Sequence, residues 1–394
     1  MNICLFNHNV AWTGGTFARC VAFAKELVVM GHDTTLVTTS QDARWRHKHL
    51  NHEGVHIVEY PAMLAGRARL GWDPWDTFSR LTGVALGELG RPDIVHAFDS
   101  RPTVILPALM LAAKSRAPLI LDWADWWGRG GTIESRETGR LVRFAARVPE
   151  TWFEEAFRKR AKRTTVISTA LAERARQLGV PEHSITLIPS GCDTARITLL
   201  DIAEARQRCG LPQDARIVGY EGTLLRDDAS LLVRSFQSLR ATDERIQLLL
   251  IGTRAAGLSE LPGVLRTEFL RGDMLSNYLG ACDLFLLPLR DTVANRGRWP
   301  SKMNDYLSSG RPTVATPVGD LKRLFSRNEV GLLGWVDDGS FLSACLALLY
   351  DPSERARLGR NARTLAETEL SWARISETLI TVYRDALVDS KSAN

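Results

Sequence analysis

Asn295-Arg296-Gly297-Arg298-Trp299-Pro300-Ser301-Lys302-Met303-Asn304-Asp305-Tyr306-Leu307-Ser308-Ser309-Gly310-Arg311-Pro312-Thr313-Val314-Ala315-Thr316 is the stretch that orders the rest of the chain. Pro300 suits the first position of a helix, where the N–H it lacks would be unpaired anyway. Gly310 suits the end of one, because the terminating residue often takes a left-handed conformation. The spacing therefore predicts a short helix over Pro300–Ser309 and a buried strand over Thr313–Ala315. Ser301 and Lys302 fall in the first turn, with Asp305 one turn below Ser301. A lysine is unfavourable there, since the helix dipole favours anions at that end. Either Lys302 points into solvent, or a bound phosphate resolves the conflict. In the second case Lys302 and the helix N–H groups meet the phosphate oxygens, and Asp305 accepts from hydroxyls such as those of a ribose.

Working outward, apolar runs bounded by turn residues alternate with helical patterns. Upstream of the quoted stretch, Ile217–Tyr220, Gln247–Ile251, Leu265–Phe269 and Leu284–Pro288 read as strands, with a helix at Asp227–Arg240. The same alternation fills the first half. Ile3–Phe6, a helix over Thr16–Met30 stopped by Gly31, and Thr34–Thr38 form a βαβ unit, followed by strands at Val55–Val58, Ile94–Ala97, Leu119–Leu121, Thr164–Ile167 and Ile185–Ile188. Strands alternating with helices imply parallel sheets covered on both faces. At 394 residues, a prior of roughly 100 to 200 residues per domain favours two domains. The boundary is expected near residues 193–205, with 1–195 and 196–371 as the two domains and 372–394 packing back on the first. The expected fold class is α/β, two facing Rossmann-like doubly wound domains around an interdomain cleft, with ligands at the carboxyl ends of the strands.

Two further segments carry chemistry. Asn7-His8-Asn9-Val10-Ala11-Trp12-Thr13-Gly14-Gly15-Thr16 leaves the first strand and opens the first helix. Paired glycines let a backbone approach phosphate oxygens at a helix start, although the same pair also makes a tight βα turn with no ligand. Leu121-Asp122-Trp123-Ala124-Asp125-Trp126-Trp127-Gly128 follows an apolar strand. Asp125 and Asp122, together with His96 and Asp99 at the neighbouring strand end, are candidates to position an acceptor hydroxyl or share its proton. Trp123 and Trp126 either stack on a sugar or belong to the core. His47, His49, His52 and His56 cluster without a Cys or paired acid at ligand spacing, and read as a surface loop and edge strand rather than a metal site.

Composition sets the remaining bounds. Apolar residues make up 45% and charged residues 24%, which argues against long disorder, and the net charge is +5. Arg136, Arg140, Arg143, Arg147 and the run Arg158-Lys159-Arg160-Ala161-Lys162-Arg163 gather positive charge, as a solvated helix face or as a surface for an anionic partner. With Trp72 and Trp75 this motivates peripheral contact with the inner face of a membrane. Six scattered cysteines without C-x-x-C spacing fit reduced thiols in a cytoplasm. No signal peptide, spanning helix or nucleic-acid partner is expected.

The run Pro-Ser-Lys-x-x-Asp-Tyr-Leu-x-x-Gly-x-Pro-x-Val-Ala at Pro300–Ala315 resembles the signature of the retaining GT-B glycosyltransferases of family four, usually Pro-x-Lys-x-x-Glu-Tyr with a Gly-x-Pro-Val-Val continuation. The likeness extends to Gly14-Gly15, Gly31-His32, Pro92-Asp93-Ile94-Val95-His96, Pro189-Ser190-Gly191-Cys192-Asp193, Gly219-Tyr220-Glu221-Gly222-Thr223 and Ser371-Trp372, in the family's order. It implies a hexosyltransferase-like enzyme of carbohydrate biosynthesis. Such an enzyme transfers a sugar from a nucleoside diphosphate donor, with retention and without cofactor or metal, to a glycan, lipid-linked or small-molecule acceptor. By the same likeness Gly14, Gly15 and Thr16 approach the donor phosphates, Lys302 and Ser301 meet the diphosphate and Asp305 holds the ribose, while Asp125, His96 and Asp99 serve the acceptor. The chain departs from the pattern at Gly297, where the first of two glutamates usually stands. It departs again at Thr223 and Asp227-Asp228, where Arg and Lys are usual, and at Ala124, where a His is common. Arg226 and Arg298 are the candidates for the missing charge. Alternative readings are a non-catalytic nucleotide-sugar-binding protein, or a nucleotide-sugar epimerase on the same scaffold.

Overall fold

The computed structural model describes the chain apart from residues 65, 67–69, 136, 137, 225, 254–257, 259, 271 and 392–394, and apart from the side chains of Arg226, Asp227 and Lys391. Arg136, Arg226 and Asp227, singled out in the sequence, thus lie outside the described residues or side chains. The chain divides into two compact units. One is Met1–Ser190 with Gly297–Trp299 and Trp372–Asn394, and the other is Gly191–Arg296 with Pro300–Ser371.

The first unit runs β1 (Asn2–Val10), α1 (Gly15–Val29), β2 (Asp33–Thr39), β3 (Lys48–His52), β4 (Val55–Tyr60), α2 (Pro74–Leu86) and β5 (Ile94–Phe98). It continues with α3 (Pro102–Ser115), β6 (Leu119–Trp123), α4 (Arg140–Ala156), β7 (Arg163–Val166), α5 (Thr169–Gln177) and β8 (Ile185–Leu187). These strands form one eight-stranded sheet in the order β3-β4-β2-β1-β5-β6-β7-β8. Every pairing is parallel except β3 with β4, an antiparallel hairpin at the edge that carries His49, His52 and His56. The side chains alternate across the sheet, as the period-2 geometry of a strand requires. Cys4, Phe6, Val37, Val95, Ala97 and Leu121 share one buried cluster. The intervening Ile3, Leu5, Leu36, Ile94 and Ile120 are equally buried, so the strands read as continuous apolar runs.

The second unit runs α6 (Ile202–Cys209), β9 (Arg216–Glu221), α7 (Arg226–Thr242), β10 (Ile246–Ile251), β11 (Val264–Arg266), α8 (Gly272–Gly280) and β12 (Leu284–Leu287). It continues with α9 (Val293–Gly297), whose last residue groups with the first unit, then α10 (Lys302–Ser308), β13 (Thr313–Ala315), α11 (Leu321–Asn328), β14 (Gly331–Leu333), α12 (Ser340–Tyr350) and α13 (Pro352–Glu367). Its six strands are all parallel, in the order β11-β10-β9-β12-β13-β14. Val218, Leu248, Leu286 and Val314 enter one core cluster, and Ile217, Leu249 and Phe285 enter a second on the opposite face. Strand order reverses between β9 and β12 here, and between β1 and β5 in the first unit. Reversal points of this kind open a crevice at the carboxyl ends of the strands. Both sheets are Rossmann-like and doubly wound.

Local chemistry explains the boundaries. Asp73 accepts from the Trp75 and Asp76 N–H groups, Pro74 opens α2, and Gly87 closes it at φ 83°. Asp351 and Pro352 repeat that opening at α13. The strand expected over Leu265–Phe269 is shorter and shifted. It ends at Arg266, because its neighbour β10 ends at Ile251 and the Thr267 hydroxyl accepts from Gly252 N at 3.1 Å. β14 is an additional strand at the far edge. The last helix, α14 (Trp372–Lys391), belongs to the first unit, where Trp372 meets Phe23 edge-on at 5.1 Å and the Tyr383 side chain is fully buried. Among the described residues no helix is long and apolar enough to cross a membrane.

Candidate active site

In the second unit, β9 delivers Tyr220 and Glu221 to the carboxyl edge of the sheet beside the reversal point, and α10 begins opposite them. Lys302 is the first residue of α10. Its Nζ donates to the Tyr220 hydroxyl at 2.7 Å and to the Thr223 carbonyl at 2.9 Å, and it lies 4.0 Å from the centroid of the Tyr220 ring. The lysine therefore turns inward across the strand end. Ser301, at the N-cap, is exposed and makes no side-chain cap bond. Gly222 sits at φ 75°, and a Cβ there would meet nothing within 4 Å, so the chain leaves β9 with open space above it.

Asp305, one turn along α10, accepts from Arg196 Nη2 at 2.6 Å. Burial raises its pKa, against the pull of Arg196. Arg196 is 43% exposed and Asp305 16%, so solvent screens the pair from the Arg196 side only. Glu221 stands between Asp305 and Lys302 in electrostatic terms. Burial, then the Asp305 charge, push its pKa up to about 7, while Lys302 and Arg196 oppose. One more interaction fixes the geometry. The Glu221 N–H donates to the Tyr306 hydroxyl at 2.9 Å, and the Tyr306 ring stacks on Phe285 with 3.9 Å between centroids. Two carboxylates and two cations thus share one strand end. Sequence reasoning found Lys302 and Asp305 but not Arg196 or Glu221 as members of the group.

In the first unit, the Gly14-Gly15 turn splits in two. Gly14 has φ 78°, and a Cβ there would lie 2.7 Å from the Asn9 amide nitrogen. Asn9 Oδ1 in turn accepts from the Phe17 N–H at 3.1 Å, taking the capping role that Gly14 has no side chain to fill. The fold alone accounts for this glycine. Gly15 is different, because a Cβ at that position would meet nothing within 4 Å and the backbone is open to approach. Thr16 is buried behind it.

The acceptor-side residues separate by burial. His96 is fully buried, with Nδ1 2.8 Å from the Tyr383 hydroxyl on α14, and burial lowers its pKa to about 3. It is a neutral core histidine with no face to a substrate. Asp122 is also consumed internally. It forms a two-pronged pair with Arg19 (3.1 and 3.0 Å) and accepts from the Thr165 hydroxyl at 2.6 Å. Asp99 holds a positive backbone φ of 105° at the end of β5 and is buried against His8 Nδ1 at 3.0 Å, with Arg101 at 3.7 Å. Burial opposes its ionisation, yet the His8 and Arg101 charges win and hold its carboxyl well below the usual range. Arg101 also lies over the Trp127 ring at 4.2 Å and pairs with Glu150 of α4 at 3.3 Å. Sequence reasoning did not connect His8, Arg101 and Glu150.

Asp125 is the exception. It is half-buried in the loop after β6, and burial raises its pKa to about 6, with the Arg298 charge opposing. Arg298 is itself half-buried and groups with the first unit. Of the flanking rings, Trp123 is core, its indole N–H donating to Glu154 at 3.0 Å, whereas Trp126 is half-buried. Among the described residues no group of three or more His, Cys, Asp or Glu is arranged to hold a metal ion.

Comparison with known proteins adds to this geometry. Residues 14–191 match the family model described as glycosyl transferase 4-like domain, and residues 215–351 match glycosyl transferases group 1. The chain is 27% identical over 223 residues to a D-inositol 3-phosphate glycosyltransferase of Stackebrandtia nassauensis, covering 52% of this chain and 49% of that protein. The aligned region spans about half the length of the relatives it matches. Among solved structures, sucrose-phosphate synthase from Thermosynechococcus elongatus superposes with TM-score 0.75 at 18% identity, over 98% of this chain and 99% of that one. Anabaena HepE in complex with UDP-glucose superposes with TM-score 0.68 at 15% identity, over 98% and 100%. Likeness at these identities concerns the fold.

Proposed function

The chain belongs to the GT-B glycosyltransferases of the group 1 type, and on that premise we propose that it moves a sugar from a nucleoside diphosphate donor, held by the second unit, to an acceptor met by the first. The observation that carries this reading is the inward-turned Lys302 ammonium at the carboxyl end of β9, beside the strand reversal. A lysine there is poised for phosphate oxygens, and it stabilises the charge that grows on a departing diphosphate. Asp305 accepts from ribose hydroxyls once they displace Arg196, the more exposed partner of the pair. By the family likeness Gly15, with open space at its Cα, is the first unit's candidate to approach donor phosphates.

Asp125, with a pKa near 6, is the group suited to guide or share the acceptor proton at neutral pH. His96, Asp99 and Asp122 act instead as supports of the first sheet. Retention rests on the Pro300–Ala315 signature, and independence from a metal rests on Lys302 supplying the neutralising charge. The six free thiols support a cytoplasmic location. HepE's UDP-glucose and the inositol phosphate of the relatives name the first donor and acceptor to try.

The test is incubation with a panel of nucleoside diphosphate sugars and polyol phosphate or glycan acceptors. Nucleoside diphosphate release would be followed, and the anomeric linkage of the product read by NMR. An α-linked product from an α-linked donor is expected; a β-linked product would refute retention. Binding of a donor with no turnover on any acceptor would favour the binding-protein reading, which Gly297 motivates by standing where the signature usually places an acid.

A further inference from the structure

A cavity of about 720 Å³ opens in the second unit, at the edge of the sheet opposite the Lys302 site. Asp283 and Pro312, which line it, stand at the amino ends of β12 and β13, whereas the Lys302 ammonium meets the carboxyl end of β9. The other walls are the segment Leu199–Ile202, the end of α10 at Gly310, and one side of α13 from Pro352 to Thr364. The volume is that of a small-molecule site, since ligand clefts commonly enclose about 300–1,000 Å³.

The charge of the walls selects the ligand. Four arginines, Arg311, Arg355, Arg360 and Arg363, line the cavity with two acids, Asp201 and Asp283. Both acids are already engaged. Asp201 caps α6 by accepting from the Ala203 and Glu204 N–H groups, and Asp283 accepts from Arg206 and from the Ile217 N–H, each at 2.7 Å, with Arg355 at 3.5 Å. Arg363 pairs with Glu367 at 2.6 Å. Arg311 is half-buried and donates to the Leu200 and Gly280 carbonyls, each at 2.7 Å, and among the described residues it meets no carboxylate at salt-bridge distance. Burial disfavours its charge and draws its pKa down. Arg360 is exposed at the rim, and among the described residues it too lacks a carboxylate partner. An anion in the cavity balances this surplus, and doubly charged phosphate oxygens match guanidinium groups best. The floor beside the arginines is apolar, formed by Leu199, itself 56% exposed, with Pro312 and Ala356. Bare phosphate would leave that floor in water, whereas a phosphate ester covers it with its carbon skeleton.

We propose that this cavity binds a phosphate monoester of sugar size, with the phosphate among the arginines and the carbon skeleton against Leu199, Pro312 and Ala356. The proposal does not depend on the donor reading, because the two sites lie at opposite edges of one sheet. Its test is titration calorimetry of the full chain, in a buffer free of phosphate, with glucose 6-phosphate, inorganic phosphate and glucose. Glucose 6-phosphate is expected to bind, inorganic phosphate at least about tenfold more weakly, and glucose not at all. Arg360→Glu should keep the melting temperature of the unliganded chain, because the side chain is exposed, and should weaken binding at least about tenfold. Ala356→Trp fills the cavity from an exposed position of α13 and should abolish binding. Lys302→Ala should leave it unchanged. No binding by the unaltered chain, or binding undiminished in both cavity variants, overturns the proposal. Binding lost in Lys302→Ala but intact in both cavity variants overturns it too, and assigns the ligand to the donor site. Equal affinities for glucose 6-phosphate and inorganic phosphate would overturn the monoester and leave a plain anion site.

Discussion

Lys302 opens a helix where a positive charge is unfavourable, and the structure answers by folding its ammonium back onto the Tyr220 ring and hydroxyl and the Thr223 carbonyl. The conflict was readable in the sequence; its resolution in the protein without ligand was not. The sequence leaves solvent and phosphate open, and the aromatic partner comes from 82 residues away. Arg196 and Glu221 were missed for the same reason. Arg196 reaches Asp305 across 109 residues, a proximity no local pattern encodes. If Asp305 holds a ribose, Asp305→Asn should weaken nucleotide binding by about 1–2 kcal/mol in titration calorimetry, through loss of a charge-assisted bond. Unchanged affinity would place the ribose elsewhere. Glu221 has its own signature. Its folded pKa is raised from 4.5 to about 7, chiefly by burial, so the folded state keeps a proton that the unfolded chain has released. Its contribution is therefore present below pH 4.5 and lost as pH rises through about 7. Glu221→Gln should flatten that decline in urea-unfolding stability between pH 5 and pH 8 by about 1–3 kcal/mol. An unaltered slope would show that the carboxyl titrates normally.

At the scale of elements, boundaries written in caps and turn residues were legible: Pro300 and Gly310 bracket α10, and Gly31 stops α1 at φ 82°. What the sequence did not disclose was which side of an element meets what. His96 looked like a strand-end group, yet α14 covers it and the Tyr383 hydroxyl takes its Nδ1 from 287 residues away. The basic stretch is visible in the sequence, and residues 141, 144, 148 and 152 stand at helical spacing, but only the structure shows that this apolar face points outward. Tyr383→Phe should cost about 1–2 kcal/mol by leaving a buried imidazole nitrogen unsatisfied, measured as a lowered urea midpoint with an unchanged slope. No change in midpoint would mean that the His96 contact contributes nothing to holding α14.

At the scale of the molecule, two doubly wound sheets follow from the alternation of short apolar runs with helical patterns, and the strand orders confirm the reversal points at β1/β5 and β9/β12. Parallel sheets buried on both faces announce themselves by continuous apolar strands, so the fold was the most legible part. The weakly apolar edges were less so, as β3 and β14 show. The central claim is that the second unit binds a nucleoside diphosphate through Lys302. A ligand that binds only the folded state raises the melting temperature in step with its affinity. The decisive measurement is the melting temperature of the chain and of Lys302→Ala against a panel of nucleoside diphosphates and their sugars. The account predicts an upward shift selective for one base and abolished in the variant, whose own unliganded melting temperature stays close to that of the unaltered chain. A shift that survives Lys302→Ala, or no shift with any nucleotide, would contradict it.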